Sequence, residues 1–227
     1  MGFIVWAMLV KICGITTRAD GRSAEAAGAD FLGLVFVERS RRFVEVRKAG
    51  AILKQLAGTA RPVGLFQNED LDTVVRTVSE LGLGMVQLHG RETPVYVNRL
   101  MKRLPGCGVI KAVGIAGPKD LLGLVDYFGK VDDPRRLVAF LLDSAGGGGT
   151  GARFDWPEAA CVLREVKESL PLIFLAGGLT VDNLSEAIRI VGPDGVDVSS
   201  GVERSPGRKD PDKVRRFIRL AKRRLKK

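Results

Sequence analysis

The sequence is poor in the residues that most often carry metal and redox chemistry. Among 227 residues there are three cysteines, Cys13, Cys107 and Cys161, and one histidine, His89. An odd cysteine count without C-x-x-C spacing supports neither a disulfide framework nor a thiolate zinc site. A lone histidine excludes a histidine-rich metal centre and any mechanism that needs two imidazoles. Long apolar runs are also missing. The longest near the start, Phe3 to Val10, is too short to cross a bilayer and lacks the basic front and small-residue cleavage site of a signal peptide. These absences lead us to expect a cytoplasmic protein whose catalysis, where it has any, uses carboxylates, a thiol or lysine.

Positive charge is in excess, but it is not spread evenly. The formal net charge of +10 suggests at first a nucleic-acid or membrane surface. From Arg204 to Lys227, however, twelve Lys/Arg stand against two Asp, so the rest of the chain is neutral overall. Within residues 211–227, Val214, Phe217, Ile218, Leu220, Ala221 and Leu225 recur at near-helical spacing. This predicts a terminal amphipathic helix with a solvated basic face. No aromatic interleaving accompanies the charge, so neither a nucleic-acid nor a membrane partner is expected.

Short apolar, β-branched runs alternate with helical periodicity from end to end, and no linker interrupts them. Strands are predicted over 9–13, 31–36, 62–66, 85–88, 109–113, 138–142, 172–176 and 196–199. Helices are predicted over 46–56, 71–81, 94–104, 156–170 and 181–191, several opening at Thr, Asp or Pro. This rhythm predicts one α/β domain over residues 1–227, a single (β/α)8 TIM barrel, with residues 1–8 as an N-terminal extension. The alternative, an open doubly wound sheet, would carry G-x-G-x-x-G after its first strand, and that fingerprint is missing.

Chemistry in such a barrel collects on the loops that follow the C-terminal ends of the strands. The polar and glycine residues do fall there: Cys13-Gly14, Glu38 to Arg42, Asn68, His89-Gly90, Asp143 to Gly151, Gly177-Gly178 and Ser199 to Glu203. Three glycine-bearing turns follow the last three strands. Gly148, Gly149 and Gly151 belong to the first, Gly177 and Gly178 to the second, and Ser200 and Gly201 to the third, where a short helix is expected. Glycine lets several backbone N–H groups converge on one anion, so the turns predict a phosphate grip and a small phosphorylated substrate. Cys13 and Asp143 end strands that lie three apart in a ring of eight. They can face each other across a small molecule, one taking a proton and the other giving one. Lys11, two residues before Cys13 on the same strand face, either supplies positive potential to that thiol or pairs with a core carboxylate.

Taken together, these motifs resemble the phosphoribosylanthranilate isomerase family of tryptophan biosynthesis. The resemblance runs through Val10-Lys-Ile-Cys-Gly-Ile-Thr16, Ser40-Arg-Arg42, Val63-Gly-Leu-Phe-Gln-Asn68 and Val86-Gln-Leu-His-Gly90. It continues through Leu141-Leu-Asp-Ser144, Gly148-Gly-Thr-Gly151, Leu175-Ala-Gly-Gly-Leu179 and Gly195-Val-Asp-Val-Ser-Ser-Gly-Val-Glu203. It implies an Amadori rearrangement of N-(5-phosphoribosyl)anthranilate that needs neither cofactor nor metal. Cys13 is then the general base, Asp143 the general acid, and Arg42 the ligand of the anthranilate carboxylate. Asp197 and His89 are further mouth residues. Gln67 departs from the pattern, since an apolar residue is commoner there. Sibling barrels are the nearest alternatives, namely a dual-specificity isomerase or indoleglycerol-phosphate synthase. The former is expected to carry an aspartate at the end of strand 1, where this chain has Cys13. Monomer and homodimer both remain open.

Overall fold

The computed structural model describes residues 8–144 and 155–223. Among these, eight parallel strands are hydrogen-bonded in sequence order and close into a barrel. They are β1 (Leu9–Cys13), β2 (Phe31–Val35), β3 (Arg61–Phe66), β4 (Met85–Leu88), β5 (Gly108–Ile115), β6 (Leu137–Ser144), β7 (Leu172–Leu175) and β8 (Gly195–Val198). Between and after them run α1 (Arg18–Ala26), α2 (Val46–Leu53), α3 (Leu71–Leu81), α4 (Pro94–Arg103), α5 (Pro118–Phe128), α6 (Trp156–Val166), α7 (Leu184–Val191) and α8 (Pro211–Lys222). The β1–β8 pairing closes the ring and sets Lys11 opposite Asp197.

Alternation along each strand divides the side chains into two sets. The outward set, including Ile12, Leu34, Val86, Leu142 and Val196, packs on the helices through Val97, Leu100, Leu163, Ile188 and Phe217. Burying each such side chain contributes on the order of 2 kcal/mol, which is why the helices hold to the barrel. The inward set fills the floor with Phe31, Val63, Met85, Ile110, Leu141 and Phe174. Phe31 and Phe174 meet edge to face, with ring centroids 5.8 Å apart, so the barrel is plugged rather than open. Above them, Cys13, Val35 and Leu65 form the last apolar layer before the mouth.

Helix entries follow the local chemistry. Asp70, Thr93, Asp155 and Asp210 each accept a hydrogen bond from a backbone N–H of the first turn they precede. The predicted strands are present with ends moved by one or two residues. The largest changes are in β5 and β6, where β6 runs on through Asp143 and Ser144 because these pair with Gly114 and Ile115 of a longer β5. The helix expected over 181–191 begins at Leu184 instead. Thr180 and Asn183 hydrogen-bond each other's backbone N–H groups, and that turn takes up the residues between. An antiparallel hairpin that the periodicity did not predict, β9 (Glu203–Ser205) and β10 (Arg208–Lys209), separates β8 from α8. Residues 1–7 of the expected extension lie outside the described residues. No helix among the described residues is long and apolar enough to cross a membrane.

Candidate active site

A cavity of about 350 Å³ opens at the C-terminal ends of the strands. That is large enough for a small phosphorylated molecule. Its walls include Cys13 from β1, Arg42 from the loop after β2, Gln67 and His89 from the ends of β3 and β4, Asp143 from β6 and Asp197 from β8. Gly177, Gly178 and Ser200 close the opposite rim. The candidates from three strands and from the loops after β2, β4, β7 and β8 thus share one space.

On the β1 side, Lys11 Nζ lies 2.9 Å from Asp197 Oδ1, and both side chains are buried. Lys11 also interacts electrostatically with the Cys13 thiol two residues along the same strand face. Both readings of Lys11 therefore hold at once: it pairs with a core carboxylate and it faces the thiol. Burial pushes the Cys13 thiol up from its ordinary value, and the Lys11 ammonium opposes that push. Burial alone would lower the Lys11 ammonium, but Asp197 and Cys13 outweigh it and raise it. Gly33, opposite Cys13 in the β1–β2 register, makes this packing possible. A Cβ there would stand 2.7 Å from Cys13 Sγ and 3.1 Å from Lys11 Nζ.

On the β6 side, both oxygens of Asp143 are engaged. Oδ1 accepts from the Ser144 N–H at 2.8 Å, and Oδ2 lies 3.3 Å from His89 Nε2. The Gln87 amide nitrogen donates to His89 Nδ1 at 2.7 Å, so a neutral imidazole carries its proton on Nε2, facing Asp143. Gln67 reaches the backbone of the same residue, its amide donating to the His89 carbonyl O at 3.2 Å while its oxygen accepts from Arg39 at 2.7 Å. The residue that departs from the resemblance therefore touches neither Cys13 nor Asp143, but it holds the neighbour of one of them.

At the rim, Gly177 and Gly178 adopt φ of 78° and 63°, a conformation L side chains resist. A Cβ on Gly177 would also come within 2.8 Å of Asp143 Oδ1. The Gly178 carbonyl accepts from Asn183 Nδ2 at 2.9 Å, which holds this turn in shape. The expected short helix is a 3-10 turn, Ser200–Val202. Gly201 packs directly on Leu179 O and brings the two rim turns together. Gly148, Gly149 and Gly151 lie outside the described residues. Among the described residues, no three His, Cys, Asp or Glu are gathered in the manner of a metal site.

A model of the family described as N-(5'phosphoribosyl)anthranilate (PRA) isomerase matches residues 10–220. The chain belongs to the phosphoribosylanthranilate isomerase family. It is 46% identical over 216 residues to the N-(5'-phosphoribosyl)anthranilate isomerase of Geobacter sp. (strain M21), covering 94% of this chain and 97% of that one. The solved phosphoribosyl anthranilate isomerase of Thermotoga maritima matches with a TM-score of 0.83 at 35% identity, covering 95% of this chain and 98% of that chain. A solved isomerase in complex with reduced 1-(o-carboxyphenylamino)-1-deoxyribulose 5-phosphate matches with a TM-score of 0.80 at 34% identity and the same coverage. The resemblance read from the motifs is borne out, and the chain is an isomerase of tryptophan biosynthesis.

Three parts of this isomerase mouth escaped the sequence. Gln87 is fully buried beneath His89. Glu203 binds Arg42 through two bonds of 2.8 Å. Lys209, which precedes the predicted amphipathic helix, is 1% exposed and lies 3.0 Å from Glu203. The charge-rich segment therefore includes a buried ion pair ahead of its helix. The available signals were slight. Gln87 has the inward parity of β4, and Glu203 ends a polar cluster after β8.

Proposed function

We propose that the chain converts N-(5-phosphoribosyl)anthranilate to 1-(2-carboxyphenylamino)-1-deoxyribulose 5-phosphate, with Asp143 as general acid and Cys13 as general base. The observation that carries this reading is the position of the two groups on opposite walls of one cavity whose remaining walls suit an anion at each end. Arg42 serves the ring carboxylate, for which a planar guanidinium is apt. Gly177, Gly178, Ser200 and Gly201 offer the phosphate their backbone N–H groups, and Gly148, Gly149 and Gly151 join them.

Asp143 gives its proton to the furanose ring oxygen. The C1′–O bond breaks, and the nitrogen lone pair forms a C1′=N iminium. The Cys13 thiolate removes the C2′ proton, and that electron pair becomes a C1′=C2′ bond while the iminium pair returns to nitrogen. The enolamine then loses its hydroxyl proton and gains one at C1′, leaving the ketone. The last two transfers go through solvent, and the proton held by the Cys13 thiol returns through solvent to the Asp143 carboxylate, so acid and base end as they began. Lys11 and the buried thiol fit the base role, since a thiolate needs a cation beside it in a dry site.

Substrate generated in situ, followed by loss of its fluorescence, tests the assignment. Cys13→Ser and Asp143→Asn should each lower turnover by about 10³-fold with little change in substrate affinity, as for proton transfer made only in the transition state. Near-normal turnover in either variant would remove that residue from its role.

A further inference from the structure

Glu203 is the first residue of β9 and lies behind the cavity wall, with its side chain 5% exposed. It stands between two cations. Arg42 Nε and Nη2 donate to its two oxygens at 2.8 Å each, and Lys209 Nζ lies 3.0 Å from Oε1 on the other side. Burial would raise the Glu203 carboxyl, but the two cations outweigh that and hold it low. Lys209 also donates to Ser199 O at 3.1 Å, which ties the row to the loop after β8. The hairpin is fastened in turn to the loop after β1, where Thr16 Oγ1 donates to Gly207 O.

A guanidinium has five N–H groups on two usable edges. Glu203 occupies the side edge, Nε with Nη2, and leaves the end edge, Nη1 with Nη2, for a second carboxylate. The rest of Arg42 is fixed as well. Its backbone N–H donates to Ser40 Oγ at 3.1 Å, and its stem crosses Gly14, where a Cβ would stand 2.5 Å from Cδ. We propose that Glu203 is a positioning residue. It fixes the end edge of Arg42 toward the cavity, where the substrate's ring carboxylate docks, and Lys209 supports it from behind. This rests on the reading of Arg42 given above, and it assigns carboxylate selectivity to a residue that does not touch the substrate.

The test is a ratio measured by calorimetry. Reduced 1-(o-carboxyphenylamino)-1-deoxyribulose 5-phosphate and its counterpart lacking the ring carboxyl are bound to wild type, Arg42→Ala, Glu203→Gln and the double variant. Arg42→Ala should abolish the preference for the carboxylated ligand. Glu203→Gln should reduce that preference about tenfold, as for losing one charge-assisted hydrogen bond, and leave the other ligand's affinity unchanged. In turnover the same variant should raise KM by a similar factor and change kcat by less than about threefold. Adding Glu203→Gln to Arg42→Ala should have no further effect on the preference. Glu203→Asp, which keeps the charge but shortens the reach, gives the same readout with an intermediate loss and serves if the Gln variant folds poorly. An unchanged preference in the Glu203 variants, or equal weakening of both ligands, overturns the proposal while leaving Arg42 its role. A preference that survives Arg42→Ala overturns the reading of Arg42 and this inference with it.

Discussion

Two buried lysines lie on opposite sides of this barrel, each beside a carboxylate, and they do different work. Lys11 on β1 faces inward, 2.9 Å from Asp197. Lys111 on β5 lies between Ile110 and Ala112, which face inward, so it points outward, 3.1 Å from Glu92. Lys111 also donates to the carbonyls of Leu88, Gly90 and Ala112. Three protons meet four acceptors, and the ammonium is saturated. Glu92 accepts in addition from the N–H groups of Asn68 and Gly90, so the pair staples the loop that carries His89. Among the described residues, Lys11 Nζ has one hydrogen-bond acceptor, Asp197, with the Cys13 thiol as a further electrostatic neighbour. Burial wins at Lys111 and lowers it, whereas the two anionic neighbours win at Lys11 and raise it. A buried ion pair is thus a lattice element where backbone oxygens exhaust its cation; where they do not, as at Lys11, the cation is free to serve the thiol role proposed above.

Between the two lysine pairs, the larger change in turnover is expected for Lys11→Met. Turnover should fall on the order of 10²-fold through loss of the charge that favours the thiolate. The sign follows from the thiol: Lys11 lowers it, so removal raises it further, and the rise of kcat/KM with pH should move to higher pH. An unmoved profile would make Lys11 as structural as Lys111. Lys111→Met should instead lower the unfolding free energy by about 3–5 kcal/mol in denaturant melts, because Glu92 is left buried and unpaired. Its kcat at low temperature should stay within about threefold of wild type, and a greater loss would erase the contrast. Gly33→Ala should reduce kcat/KM about tenfold by pushing Cys13 Sγ and Lys11 Nζ apart, with less effect on stability, a cost in line with overpacking a filled layer. The smallest effect is expected for Lys102→Ala, whose exposed pairing with Asp132 is worth less than about 0.5 kcal/mol.

Much of the fold was legible because each strand carries two consistent parities, one for the floor and one for the helices. Cys13, Asp143, His89 and Asp197 could be placed at the mouth for the same reason: each shares the inward parity of its strand. Their partners were harder to read. Lys209 looks like any member of a basic run, and only its contact with Glu203 and Ser199 O buries it. The hairpin that carries both has strands of three and two residues, too short for a period to emerge. Arg42 and Glu203 are 161 positions apart, and no local pattern joins them. The end of β6 was misplaced because an aspartate reads as a loop residue, while its pairing with Gly114 keeps it in the sheet.

The Lys11–Asp197 contact spans 186 positions, across the seam where the first strand meets the last. During synthesis, β1 emerges first and waits for nearly the whole chain before its lysine has a counter-ion. Until the final βα unit docks, Cys13 lacks the Lys11–Asp197 pair and the wall that Arg42 and Glu203 complete. Long-range closure of this kind is slow to form. Under the role proposed for Cys13, the base is therefore assembled by ring closure itself, and an unfinished or opened barrel is expected to carry no partial activity toward sugar phosphates around it.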